Sequence, residues 1–349
     1  MKDQGTWWPI SRGAGMAVIG VLLCVFVLLR AWSRSRAQAR WEHDYGRMQH
    51  LLDRQENEEV IRCCTRAIED GHLAPRDLSL AYHCRGYAYR QKGDLTRAIA
   101  DSSKAIELGP SLGPAYNNRG LAYQEVGELD PAISDHTRAA ELNPQDALAF
   151  NNRGLAFWRR GEYERAIADC AKAIELDARC ALAYNNRGMA YDDLGRYEDA
   201  LADYNKSIEI DPTDGTNYHN RGFTYRNLRK LDLALSDFNR AIELNSRNPK
   251  THANRGLTHA QMGKHAEAIS DYSAAIALDP RHWVAYYNRG LEYLDLGRLP
   301  EAIADLTRAI ELKPNDAKGY EMRAVALAEA GDLEGAAADL DRARELGGR

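Results

Sequence analysis

Ten histidines and six cysteines are the residues here with the chemistry for metal binding or nucleophilic catalysis. His252 and His259 lie seven residues apart, with His265 close behind. Seven residues is two helical turns, so the first two rings share a helix face, where packed, hydrogen-bonded imidazoles are the ordinary outcome. No carboxylate-histidine or cysteine spacing accompanies them to suggest zinc. Cys24, Cys63, Cys64, Cys84, Cys170 and Cys180 show no C-x-x-C pair, and Cys63 and Cys64 are neighbours. They read as small buried hydrophobes in a reducing compartment. With no phosphate-binding G-x-x-x-x-G-K-S/T and no H-E-x-x-H, the sequence offers no metal, cofactor or catalytic residue.

Three other residue types recur instead, and their chemistry is recognition and pairing. Asn118, Asn152, Asn186, Asn220, Asn254 and Asn288 form one column, with Asn117, Asn151 and Asn185 beside three of them. Three residues on come Leu121, Leu155, Met189, Phe223, Leu257 and Leu291. An amide offers both a donor and an acceptor, so a row of them can bracket the backbone of an extended peptide without regard to its sequence. A second column is arginine (Arg85, Arg119, Arg153, Arg187, Arg221, Arg255, Arg289, Arg323), and a third is aspartate (Asp101, Asp135, Asp169, Asp203, Asp237, Asp271, Asp305, Asp339). These could form a ladder for charged peptides or pair with each other.

The elements that must position these columns repeat every 34 residues, as Gly86, Gly120, Gly154, Gly188, Gly222, Gly256 and Gly290 mark, with Ala324 in the next slot. A fixed period of this size signals a stacked repeat array. In residues 113–146, Tyr116, Gly120 and Tyr123 fall at i, i+4 and i+7 on one helical face, and Gly127 ends the helix. Ala132, His136 and Ala139 line a second helix, and Pro144 follows its end. Small residues at Gly120 and Ala132 let two helices cross closely. Each unit is therefore predicted to be a helical hairpin and the chain all-α. Eight units cover 79–112, 113–146, 147–180, 181–214, 215–248, 249–282, 283–316 and 317–349. Arg229 stands in the turn-glycine slot, and Arg344 stands where another unit has Ile310, as in a solvated last unit.

The aromatic column (Tyr82, Tyr116, Phe150, Tyr184, Tyr218, Tyr286, Tyr320), the small residue after it, the later alanine (Ala98 to Ala336) and the late prolines (Pro110, Pro144, Pro212, Pro280, Pro314) resemble the tetratricopeptide repeat family. The resemblance implies a right-handed α-solenoid that holds a protein or peptide in a concave groove. A similar asparagine ladder lines the repeats of the O-linked N-acetylglucosamine transferase. The family's carboxylate clamp for chaperone tails wants asparagine where this chain has Leu121 or Leu257, and cations on the same face. That partner is not carried over.

Geometry turns the arginine and aspartate columns inward as structural pairs, within or between units. The asparagines point about 200° away from the first aromatic, towards the inner wall of the stack. There they can hold a partner, bridge adjacent first helices, or both.

Ahead of the array, residues 1–12 form a tail, and residues 13–29 are free of charge. Residues 13–32 read as a transmembrane helix, with Trp7, Trp8 and Trp32 at the interfaces. The alternative is a cleaved secretory signal ending at Ala37-Gln-Ala39, which the arginines after Leu29 oppose. The same arginines place the array on the cytoplasmic side, with export as the alternative. Residues 33–44 read as a basic juxtamembrane link. Residues 41–78 read as a worn hairpin, in which Val60-Ile61, Cys64 and Ala67-Ile68-Glu69 echo Ala166-Ile167, Cys170 and Ala173-Ile174-Glu175, with Met48 in the glycine slot. Residues 1–40 carry a net charge of +5 and the remainder −10, which makes the array a poor candidate for nucleic acid, and none is expected as a partner. The expected function is a membrane-anchored scaffold for a partner polypeptide. A self-associating structural solenoid is the alternative, and a part in an enzyme complex a remoter one.

Overall fold

The computed structural model describes residues 27, 31, 33, 35–48, 50–52 and 54–347. Among these, every regular element is a helix. Among the described residues, no helix is long and apolar enough to cross a membrane. The expected span at 13–32 lies outside the described residues save for Val27 and Ala31.

Two compact units divide at Arg160 and Gly161. The first begins with α1 (35–48, continuing at 50–52) and α2 (Asn57–Glu69). The stretch 33–44 was expected to be a polar link, yet it is helical from 35 onward. Its Ala37, Trp41, Met48 and Leu51 are buried, at helical spacing, and the last three pack in a cluster with Val60, Cys64 and Ala81. Burying these side chains outweighs the polar composition around them. The unit continues with α3 (Pro75–Gln91), α4 (Leu95–Leu108), α5 (Gly113–Val126), α6 (Leu129–Leu142) and α7 (Ala147–Arg159). Each packs on the next, and α3 also touches α5 as α5 touches α7.

The second unit comprises α8 (Tyr163–Leu176), α9 (Ala181–Asp193), α10 (Tyr197–Ile210), α11 (Gly215–Asn227), α12 (Leu231–Leu244), α13 (Pro249–Gln261), α14 (His265–Leu278), α15 (Trp283–Asp295), α16 (Leu299–Leu312), α17 (Ala317–Glu329) and α18 (Leu333–Glu345). Here too the odd-numbered first helices touch their successors, α9 with α11 and so on to α17. Within each unit the first helices crowd together along one side of the stack.

The core is thin and made largely of alanine. Ala98, Ala132, Ala200, Ala234, Ala268 and Ala302 are fully buried, and in five hairpins one larger side chain fills the space beside the helical glycine. His136 lies over Gly120, Tyr204 over Gly188, Phe238 over Gly222, Tyr272 over Gly256 and Leu306 over Gly290. The five described cysteines, Cys63, Cys64, Cys84, Cys170 and Cys180, are free and buried. Burial pushes the Cys63 thiol up to about 11 and the Cys84 thiol up to about 12, so both behave as hydrophobes.

Two positions deserve a finer reading. Gly127 closes α5 at φ +88°, and Arg229 occupies the corresponding turn slot after α11 at φ +59°. A side chain in that left-handed region costs roughly 1 kcal/mol relative to glycine. Arg229→Gly is therefore expected to raise stability by about 1 kcal/mol, read as a higher melting temperature. In the last hairpin, expected to be a polar cap, Leu333 and Leu340 remain exposed at 71% and 40%. Arg344 does pair with Asp341 at 2.9 Å, but polar drift does not extend over that whole face.

Candidate functional site

The arginine and aspartate columns resolve first. Arg187 donates from Nε to Asp203 Oδ2 at 2.7 Å and from Nη2 to Oδ1 at 2.8 Å, joining the two helices of one hairpin. The same fork joins Arg85 to Asp101, Arg119 to Asp135, Arg221 to Asp237, Arg289 to Asp305 and Arg323 to Asp339. Arg255 pairs with Asp271 likewise. The remaining Nη1 often reaches back to the preceding second helix: Arg119 to Ser103 at 3.0 Å, Arg289 to Ser273 at 2.8 Å and Arg323 to Thr307 at 3.0 Å. Arg85 makes the same reach to Thr65 in α2 at 3.0 Å. The guanidinium groups of Arg85, Arg119, Arg289 and Arg323 thus each tie three helices, and the column is structural.

Several of the asparagines are tied between hairpins as well. Asn118 accepts from Arg90 Nε at 3.0 Å and donates to Ser102 Oγ at 2.8 Å, and is buried. Asn220 donates to Asn185 Oδ1 at 3.0 Å. Asn254 accepts from Arg226 Nη1 at 2.7 Å and lies 3.5 Å from His219 Nε2. Asn117 donates to Asp146 at 3.3 Å and meets His136 Nδ1 at 2.9 Å. Asn151 donates to Asn152 Oδ1 at 3.3 Å, and the backbone carbonyl of Asn152 accepts from Gln124 at 2.9 Å. Asn151, Asn185 and Asn186 are buried, while Asn152 and Asn288 are half-buried. Asn118, Asn220 with Asn185, and Asn254 display bridging of successive first helices, one of the two roles the sequence left open for these amides.

Leu121, Leu155, Met189, Phe223, Leu257 and Leu291 are all half-buried. Neighbouring positions complete a stripe that the sequence reading passed over. In α7, Leu148, Asn152, Leu155 and Arg159 fall at i, i+4, i+7 and i+11, and Leu148 is 53% exposed. In α9 the corresponding stripe is Leu182, Asn186, Met189 and Asp193, with Leu182 equally exposed. The signal was the same helical spacing, extended one turn towards the N-terminus.

Buried polar groups line these first helices. His136 is held between Asn117 Oδ1 and Gln124 Nε2, both at 2.9 Å. Burial pushes His136 down to about 3, and His83 and His219 down to about 4. An imidazole held below its unfolded value stays neutral in the fold, while the unfolded chain takes up a proton as pH falls through 6.5. Stability is therefore lost on acidification, by about 1.4 kcal/mol per pH unit for each such ring. Melting at pH 5 is expected to fall well below that at pH 7. His136→Ser, which borrows the residue found at Ser102, should flatten that dependence. Burial also pushes Asp192 up to about 6.

His252 and His259 are packed, as their spacing suggested. His259 Nδ1 lies 3.0 Å from Asp271 Oδ2, and His252 Nε2 lies 3.1 Å from the Ser246 carbonyl. One catalytic pattern escaped the sequence reading: Gly109-Pro110-Ser111-Leu112-Gly113 spells G-x-S-x-G. That motif activates serine on a strand-to-helix elbow, and here it is an exposed turn between α4 and α5.

The comparisons with known proteins agree with this architecture. A model of the tetratricopeptide repeat matches residues 113–146, 147–180, 181–214, 249–282 and 283–316, a second matches 203–236, and a TPR repeat model matches 86–127. No curated protein matches the sequence. Among solved structures, a chain of the APC/C hetero-tetramer Cut9-Hcn1 is similar at 19% identity and a TM-score of 0.66, over 80% of this chain and 55% of that one. This chain thus spans little more than half of that relative. A tetratricopeptide repeat protein from Parabacteroides merdae is similar at 24% identity and a TM-score of 0.52, over 68% of this chain and 94% of that one. Pseudomonas aeruginosa pilF is similar at 19% identity and a TM-score of 0.52, over 64% and 98%. These likenesses show the fold. With the repeat models matching along residues 86–236 and 249–316, and the glycine, arginine and aspartate columns assembled into successive helical hairpins, the chain belongs to the tetratricopeptide repeat family.

Proposed function

We propose that the chain is an interaction scaffold that holds a polypeptide segment of a partner protein against its first helices, and that residues 13–32 anchor it to a membrane with the array on the cytoplasmic side. The observation that carries the reading is the stripe repeated on successive first helices: an apolar or polar start, an amide, a half-buried apolar residue and a polar end. In the second unit Met189, Phe223, Leu257 and Leu291 are its apolar members. A row of half-buried side chains at one-hairpin spacing suits alternate apolar residues of an extended or helical segment. Because Asn118, Asn185, Asn220 and Asn254 are engaged in bonds between hairpins, they serve to fix the spacing of that row, and amides with remaining capacity add polar contacts to it. The acidic balance of residues 41–349 favours a partner segment with positive charge and disfavours nucleic acid.

A photo-crosslinking residue at Phe223 in the full chain, in its native membrane, tests this against one at Leu233, which is 49% exposed on a second helix. A discrete protein adduct from position 223 and none from 233 is expected. Equal adducts from both would overturn the reading. Self-association is the second reading, favoured by the exposed Leu333 and Leu340, and sedimentation of the purified chain separates the two.

A further inference from the structure

Comparing the hairpins with one another reveals two departures that meet in space. The first residue of the second helix is leucine or tyrosine in every other unit (Leu95, Leu129, Tyr163, Tyr197, Leu231, Leu299, Leu333), and in α14 it is His265. Two residues after the helical small residue the other units carry alanine or threonine, and α15 carries Glu292. Glu292 is only 6% exposed, yet its carboxylate lies 2.8 Å from His265 Nδ1. One helical turn on from Glu292, Asp295 brings a third donor, and one ligand atom from each of the three lies within 4.8 Å of the others.

We propose that His265, Glu292 and Asp295 form a binding site for a divalent transition-metal ion between α14 and α15. One imidazole nitrogen and two carboxylates are the donors suited to zinc or manganese, with solvent completing the coordination. Donors about 2.1 Å from a metal and about 90° apart are separated by about 3.0 Å, so the 2.8 Å between His265 and Glu292 already approximates one edge of such a shell. Glu292 and Asp295 stand three apart on one helix and so share a face. Asp295 is exposed and free to swing in. A second observation points the same way. The Tyr272 hydroxyl is fully buried and has no hydrogen-bond partner, and among charged groups Glu292 acts on it most strongly. Such a hydroxyl can accept a hydrogen bond from a metal-bound water. A bound ion would clamp two successive hairpins beside the stripe that carries Leu291, with Asp295 as that stripe's last member.

The test uses the purified full chain, stripped with a chelator and titrated with zinc, manganese or magnesium chloride. Saturable binding of one ion is expected, tighter for zinc than for manganese and weakest for magnesium, together with a raised melting temperature. The double variant His265→Leu/Glu292→Ala takes the residues that other units carry at these positions, and is expected to fold and to lose that binding. Asp295→Asn, at an exposed position, should leave melting of the metal-free chain unchanged and weaken binding. Absence of saturable binding by the parent chain, or affinities equal in the parent and the variants, would overturn the proposal.

Discussion

The Asp203→Ala variant is expected to lose about 3 kcal/mol of stability, and Arg187→Ala a similar amount. The two side chains are 7% and 20% exposed, so neither partner can recover in water what it loses in the protein. The guanidinium is also held between the Tyr184 and Tyr191 rings, at 5.7 and 5.9 Å, so it has no alternative position in which to be solvated. Truncating either member strands a charge in a poorly polarisable setting, and that penalty exceeds what the pair itself contributes. Replacing both at once by apolar residues of similar volume, Arg187→Met with Asp203→Leu, should therefore cost less than either single truncation. Because a repeat array can open locally, amide hydrogen exchange across α9 and α10 is the appropriate readout alongside melting. Unchanged protection in Asp203→Ala would show that the column does not hold the hairpin together.

This pairing was legible in the sequence because both partners belong to the same period and the same hairpin, so their spacing never varies. The contacts of the asparagines were not legible, for the opposite reason. Asn118 is held by Arg90 and Asn254 by Arg226, each from the preceding hairpin, but the same position holds Gln124, Trp158 or Asp192 elsewhere. A constant residue meeting a varying one looks unpartnered when only the constant column is read. The helix at 35–48 was hidden by composition: its arginines suggested a link, although Ala37, Trp41, Met48 and Leu51 already carried the helical period. The exposed Leu333 and Leu340 likewise follow the repeat pattern itself. The positions equivalent to Leu340 in earlier hairpins, such as Tyr204 and Phe238, are buried, so the last unit keeps the residue type without the burial.

These contacts bear on the partner-binding role proposed for the first helices. Amides such as Asn118, Asn220 and Asn254, bonded between hairpins, set the distance from one first helix to the next, and on the proposed reading affinity for a partner comes mainly from Met189, Phe223 and their equivalents. Variation in those side chains from unit to unit gives the face a direction and a register, which a row of identical amides would lack.

Tyr204→Ala is expected to cost about 3–5 kcal/mol. The ring is 1% exposed and occupies the space that Gly188 leaves by having no side chain. A Cβ built at Gly188 would stand 2.7 Å from Tyr204 Cε1 and 3.1 Å from Cζ, well inside contact distance. The two residues are therefore a single packing unit, and their substitutions should not add. In the parent chain Gly188→Ala forces the ring out of place, at a cost of about 1–3 kcal/mol. In the Tyr204→Ala background the same substitution finds open space and gains the helix preference of alanine over glycine, about 1 kcal/mol. The sign of the Gly188→Ala effect should thus reverse between the two backgrounds, and denaturant unfolding of the four chains measures it. Additive losses would mean that the ring and the glycine are independent. A reversal would establish that Gly188 is required by the side chain opposite it.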